Sequence, residues 1–197
     1  MIEGRFAPRF TAGPLTLPTL GGHLVLRRPT EADLDAVVAI HGNPATNVHN
    51  PAGPMKDDEQ GRALLEGWLV DWRERGIGYW AVDAVLPEEW EGARTLGFSG
   101  VRHLPAGPTQ VLNLYYRYAP AAWGRGWASA VARRALDAAR AYDPETPVIA
   151  RMQPGNLPSR RVAEKAGLQP VGFDLAGRPV LADRPLPRSV VKGLPLV

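Results

Sequence analysis

The chain contains no cysteine. That absence removes disulfide scaffolds, thiolate metal sites and a cysteine nucleophile at once, since each needs a sulfhydryl. No apolar run approaches the roughly 20 residues that cross a bilayer. The first residues also lack the apolar stretch of a secretory signal, so the expectation is a cytoplasmic protein without a membrane partner. An excess of one charge is missing too. Against 23 Lys+Arg stand 20 Asp+Glu, a net charge of +3 over 197 residues, too small and too scattered to argue for nucleic acid. His, Asp and Glu fall at no metal-ligand spacing, so no metal is expected.

What is present fits one globular domain: 45% hydrophobic, 8% aromatic and 22% charged residues, in a chain long enough to bury roughly 70% of its unfolded surface. Residues 1–22 read as an irregular Pro/Gly-rich arm, and Ile2-Glu3-Gly4-Arg5 looks like a protease-recognition linker. The domain is expected over 23–184, followed by a tail over 185–197. Residues 23–28 alternate as a strand. Thr30 and Asp33 form a helix-capping pair ahead of an apolar face at Leu34, Val37, Val38 and His41. A Pro/Asn-rich loop covers 42–54, and Asp57 with Gln60 caps a helix whose face is Leu65, Trp68, Leu69 and Trp72. Strands follow over 78–85, 95–101 and 109–118, with turns at Pro87, Gly92, Pro105, Gly107 and Pro108. A helix from about Ala128 carries the stripe Val131, Ala132, Ala135, Leu136 and Ala139. A strand at 148–152, a helix at 157–166 ended by Gly167, and strands at 168–173 and 178–183 complete the chain. The order β-α-α-β-β-β-α-β-α-β-β predicts an α/β (α+β) protein, a mixed central sheet flanked by about four helices and not a doubly wound sheet.

Two segments carry chemistry. In the first, a Tyr-rich strand ends at Pro120 and a turn with Gly124 and Gly126 leads straight into a helix. Glycines there let backbone amides approach an anion, and the helix start adds about half a positive charge. Spacing alone leaves open a turn that uses glycine only for its shape. Gly124-x-Gly126-x-x-Ser129 nearly copies the dinucleotide fingerprint, yet the next strand ends Arg151-Met152-Gln153 without the required acid. In the second segment, Asn156 caps the helix that holds Ser159 on the same stripe as Val162, Ala163 and Ala166. That stripe aims a hydroxyl at the sheet; the alternative is a serine bonded to local backbone.

Together, Trp123-Gly124-Arg125-Gly126-Trp127-Ala128 after the Tyr-rich strand, then Asn156-x-x-Ser159-x-x-Val162-x-Glu164-Lys165-x-Gly167, resemble the GNAT acetyltransferase superfamily. The pattern is most similar to the branch typified by the ribosomal-protein alanine acetyltransferases RimJ and RimL. The resemblance covers about residues 23–183 and implies a GNAT fold with two splayed strands that hold acetyl-CoA as co-substrate. It implies that the diphosphate lies on Trp123, Gly124, Arg125, Gly126, Trp127, Ala128 and Ser129. The pantetheine arm would pair with Arg117, Tyr118 and Ala119, and Asn156 and Ser159 would lie near the sulfur. Dimers are common in that branch, so a homodimer is in keeping with it. The sequence departs from the pattern at Ala121, Ala130 and Asn113; the last replaces an acid and leaves no general base on the strand.

For acetyl transfer to an amine, the oxyanion donor is expected at the Tyr118 amide and the group serving the thiolate at Ser159. Neutralising a lysine amine at pH 7 costs about 4.6 kcal/mol, an α-amine only about 1.4. Without a strong base on this strand, the arithmetic favours an amine of already low pKa, such as a peptide N-terminus, or a water chain ending on a distant carboxylate. A small-molecule amine, or a catalytically silent acyl-CoA-binding module, are the competing readings. His41, His49, Trp68 and Trp72 read chiefly as structural. Tyr115 and Tyr116 point to opposite faces, one of them toward the site.

Overall fold

A computed structural model describes residues 14–19, 22–85 and 95–196. The protease-site-like segment and the Pro87 and Gly92 turn lie outside the described residues. The strands are β1 (Leu15–Thr19), β2 (Gly22–Arg27), β3 (Tyr79–Val85), β4 (Thr95–Ala106), β5 (Thr109–Tyr118), β6 (Val148–Arg151), β7 (Gln169–Phe173) and β8 (Pro179–Ala182). The helices are α1 (Leu34–Gly42), α2 (Asp58–Arg75), α3 (Trp127–Tyr142), α4 (Leu157–Ala166) and α5 (Arg188–Lys192). The strands form one mixed sheet in the order β1-β2-β3-β4-β5-β6-β8-β7. Every neighbouring pair is antiparallel except β5 with β6.

Local signals explain the element starts. The Asp33 carboxylate accepts from the Thr30 amide at 2.7 Å, and Arg27 holds that carboxylate at 2.6 and 2.7 Å while reaching buried Asp83 at 2.8 Å. Asp57 caps α2 by accepting from the Gln60 amide at 2.9 Å. Gly76 and Gly167, both at positive φ, end α2 and α4.

Alternation along the strands then sorts the core into two layers. Tyr79, Ala81 and Phe98 pack with Val37, Ile40, Leu65 and Trp68 of α1 and α2. Val82, Leu96, Leu112, Leu114 and Tyr118 pack with Val131, Ala135 and Leu136 of α3 and Ala163 of α4. Trp68 and Trp72 are thus core residues.

Three expectations need correction. The arm expected over 1–22 contains β1, paired antiparallel with β2 from Leu15↔Leu26 to Thr19↔Gly22. Pro18 is tolerated there because β1 is an edge strand. The tail expected after 184 contains α5, whose Val191 joins Leu194 in a third apolar cluster with Ala106, Val111 and Ile149. Finally, β4 runs through Pro105, which had read as a turn. Beyond Gly100 β4 has no β3 partner, so a residue without N–H leaves no ladder bond unmade on that side.

Gly97 shows how closely β4 and β5 fit. A Cβ there would lie 2.5 Å from both the Arg117 carbonyl oxygen and the Tyr118 ring. Gly97→Ala is expected to lower stability by about 1–3 kcal/mol through overpacking. A urea midpoint equal to that of the parent chain would contradict this.

Candidate active site

β5 and β6 pair only at Leu112↔Val148 and Asn113↔Ile149. The Leu112 amide points toward β6, bonding the Pro147 carbonyl at 2.8 Å, whereas the Ala119 amide points toward β4, bonding Leu96 at 2.8 Å. Alternation between them directs the Tyr116 and Tyr118 amides into the gap that opens beyond Asn113. The expected oxyanion donor, the Tyr118 N–H, therefore lies on the open side. Its own carbonyl accepts from the Trp123 indole at 2.9 Å.

At the mouth of this gap stands the glycine turn. Gly124 and Gly126 have φ of 76° and 75°, and a Cβ built on either would meet nothing within 4 Å. Trp123 is 51% exposed, and Gly124, Arg125 and Gly126 are exposed beside it. Gly126 is the N-cap of α3 and brings no capping side chain. The Ala128 and Ser129 amides in its first turn have no such cap to satisfy them. Arg125 lies over the Trp127 ring at 5.1 Å. The turn is thus open, uncapped by side chains and at the end of β5, where the sequence predicts it. Exposed amides at a helix start are the kind of group that suits an anion.

Across the gap, Ser159 sits in the first turn of α4. The Asn156 side-chain carbonyl accepts from the Ser159 amide at 3.1 Å, which leaves the Asn156 NH2 as the group able to reach a ligand. The Ser159 hydroxyl donates to the Tyr116 oxygen at 3.1 Å, and Tyr116 donates to the Ser159 carbonyl at 2.7 Å. Burial pushes the Tyr116 phenol up to about 12, so it stays protonated and holds this pair as a hydrogen-bonded loop. The hydroxyl is thus turned to the sheet, as the helical stripe predicts.

The other face of β5 has a different character. His41 is buried, with Nδ1 2.9 Å from the Val37 carbonyl and Nε2 2.7 Å from the Tyr115 hydroxyl. The carbonyl can only accept, so Nδ1 carries the proton and Tyr115 donates to Nε2. Burial, helped by the Arg117 charge, pulls the His41 pKa down to about 4. Tyr115 stacks on Tyr79 with ring centroids 4.7 Å apart, and the Asn113 amide donates to the Tyr79 hydroxyl at 3.2 Å. On this face Asp71 is matched by Arg102 at 3.0 Å. Arg117 donates to the Asn47 side-chain oxygen at 2.8 Å. His49 is exposed.

Tyr116 therefore meets Ser159 on one face and Tyr115 meets His41 on the other. Period-2 alternation signals the opposite faces. Nothing local signals the partners, which lie 43 and 74 positions away. Among the described residues no group of three or more His, Asp or Glu is arranged to hold a metal ion, and no helix is long and apolar enough to cross a membrane.

A family model for the acetyltransferase (GNAT) domain matches residues 23–169. The chain belongs to the GNAT acetyltransferase family. Its sequence is also similar to the Bacillus subtilis (strain 168) protein YkkB, 31% identical over 114 residues. That match takes in 58% of this chain and 63% of YkkB, so the chain spans less than two thirds of that relative's length. Among solved structures, an acetyltransferase from Agrobacterium tumefaciens superposes with a TM-score of 0.66 at 24% identity, covering 85% of this chain and 93% of that one. RimJ of Mycobacterium smegmatis, in complex with CoA-disulfide, gives 0.64 at 19% identity over 86% and 85% of the two chains. At such identities the likeness is one of fold, and the fold is that of GNAT enzymes.

The buried histidine of this GNAT domain makes stability depend on pH. Unfolded, His41 binds a proton below about 6.5; folded, only near 4. Its contribution is complete above pH 6.5 and declines as pH falls toward 4, by up to about 1.4 kcal/mol per unit. Denaturation at stepped pH is expected to show a shallower decline in His41→Gln. Identical slopes in the two proteins would remove His41 as a cause.

Proposed function

We propose that the chain transfers the acetyl group of acetyl-CoA to a primary amine of low pKa, a peptide N-terminal α-amine being the best match, in the cytoplasm and in the manner of the RimJ/RimL branch. The observation that carries this is the Tyr116–Ser159 pair, set across the gap from the open glycine turn.

In this reading the diphosphate of the co-substrate lies on the amides of residues 123–129, and the pantetheine arm runs along Arg117, Tyr118 and Ala119. The thioester then comes beside Ser159. The Tyr118 amide would stabilise the oxyanion formed as the amine adds to the carbonyl, a contribution of about 3 kcal/mol for such a donor. As the C–S bond breaks, the nitrogen gives up its extra proton to water. Rotation about Cβ–Oγ turns the Ser159 hydroxyl from Tyr116 toward the sulfur, exchanging a 3.1 Å hydrogen bond for one to the departing thiolate, which water then protonates. Hydrogen bonds to charged groups are roughly twice as strong as neutral ones, so the exchange is favourable once charge develops. Tyr116 meanwhile keeps its bond to the Ser159 main-chain carbonyl, which holds the first turn of α4 in place.

The acceptor follows from the missing base. Asn113 is tied to Tyr79 and His41 has its pKa pulled down to about 4; burial pushes the Asp71 carboxyl above the usual carboxylate range, and Arg102 holds it in an ion pair at 3.0 Å. Neither Asn113 nor His41 is poised to take a proton near pH 7. An amine that is already partly neutral meets that condition, and a lysine side chain does not.

Titration with acetyl-CoA followed by thiol-release assays on peptides and amines tests the proposal. Ser159→Ala and Tyr116→Phe are each expected to lower kcat at least about tenfold while acetyl-CoA still binds. Turnover should rise from pH 7 to 8 as the α-amine deprotonates. Unchanged kcat in both variants would defeat the assigned roles. Acetyl-CoA binding with no thiol release from any amine would favour the silent acyl-CoA-binding module.

A further inference from the structure

Several part-buried arginines among the described residues are neutralised. Arg27 lies against Asp33 and Asp83 at 2.6 and 2.8 Å, Arg102 against Asp71 at 3.0 Å, and Arg178 against Asp174 at 2.8 Å. Arg117 differs. Among the described residues its one hydrogen-bond acceptor is the neutral amide oxygen of Asn47, at 2.8 Å, and no carboxylate is within ion-pair distance. The guanidinium carries five N–H donors in a fixed fork, so most of its donor capacity has no protein partner.

Its position is nevertheless built. Asn47 is buried, and its NH2 donates to the His41 carbonyl at 2.6 Å and the Asn43 carbonyl at 2.8 Å. Those bonds turn its oxygen toward Arg117 and toward the Asn50 amide, which donates to it at 2.9 Å. Asn50 in turn donates to the Gly53 carbonyl at 2.6 Å. The loop after α1 is thus laced to the arginine through one neutral acceptor. The side chain also leaves β5 on the face of Tyr115 and His41, opposite to Tyr116 and Ser159. The helix that starts at the glycine turn, α3, packs on the Tyr118 face of the sheet and not on this one.

We propose that Arg117, held by Asn47, recognises an anionic group on the acceptor, so that the preferred amine carries a carboxylate or phosphoryl group within about one side-chain length of the reacting nitrogen. This rests on the transferase reading and adds the substrate's charge to it. A planar fork beside the strand suits either oxyanion, and the same positive charge disfavours polyamines and other cationic acceptors.

Four matched tripeptide amides provide the test: Ala-Glu-Ala, Ala-phosphoSer-Ala, Ala-Gln-Ala and Ala-Lys-Ala. Their kcat/KM values are expected to favour the two anionic peptides over Ala-Gln-Ala by at least roughly tenfold, with Ala-Lys-Ala the poorest. The ratio of the two anionic peptides tells carboxylate from phosphoryl. In Arg117→Met the anionic-to-neutral ratio should collapse toward one, and Arg117→Lys should restore part of it. The same ratios are read without chemistry by titrating the peptides into protein saturated with CoA. Peptides that bind with this preference but release no thiol would refute the transferase reading and leave the Arg117 site standing. Equal binding of the Glu and Gln peptides would overturn the Arg117 site. So would an Arg117→Met ratio that stays at the parent value while acetyl-CoA binding weakens.

Discussion

Two residue pairs hold β5 to β6, and beyond them the strands part. A sheet normally satisfies its backbone amides by pairing each strand on both sides, and an interior strand left open on one side exposes donors that need another partner. Here the open segment carries the Tyr116 and Tyr118 amides, and what closes it decides what the protein does. The connection between the two strands is a parallel crossover, so a helix must lie between them. That helix, α3, begins at the glycine turn and delivers its own unbonded amides to the end of the same gap. The pairing geometry of one strand thus brings two kinds of backbone donor together without any charged side chain being required.

Side chains from β5 then divide the work between its faces. Tyr116 reaches α4 and takes part in a closed hydrogen-bonded loop with Ser159, which orders a hydroxyl that would otherwise rotate. Tyr115 reaches α1 and meets a histidine that desolvation keeps neutral. The second face therefore gains polar contacts around a weak base, while its asparagine is tied to a tyrosine and its aspartate is ion-paired with Arg102. Beside the Asp71–Arg102 pair, that face carries the cationic Arg117, anchored by a neutral amide.

Much of this could be read in the sequence. β5 and α4 have the bounds their patterns predict, since a Tyr-rich alternating run and an Asn-capped, Gly-terminated stripe are strong local signals. The glycine turn, the Asn156 cap and the inward Ser159 follow from the same short-range rules. β1 escaped because Pro18 in a Pro/Gly-rich stretch masks the alternation of Leu15 and Leu17, and α5 because five residues are too few to show a period. The extension of β4 through Pro105 depended on where β3 stops, which is a property of the partner strand. The contacts that define the site, Tyr116 with Ser159, Tyr115 with His41 and Arg117 with Asn47, join residues 43, 74 and 70 positions apart. Pairings of that kind come from topology, and no local pattern encodes them.

The far end of the β4–β5 hairpin is secured in an unusual way. Gly107 at its tip donates to the Gly193 carbonyl at 2.9 Å, and a Cβ on Gly193 would come within 2.7 Å of the Gly107 nitrogen. Arg151 and Arg178 both donate to the Pro195 carbonyl just beyond. Residues near the carboxyl terminus therefore act as a clamp on one end of the reactive strand. β5 behaves as a cantilever, anchored at Thr109 and unsupported on one side near Tyr118. The give of this strand is therefore left to the end that lacks a β6 partner, beyond Asn113.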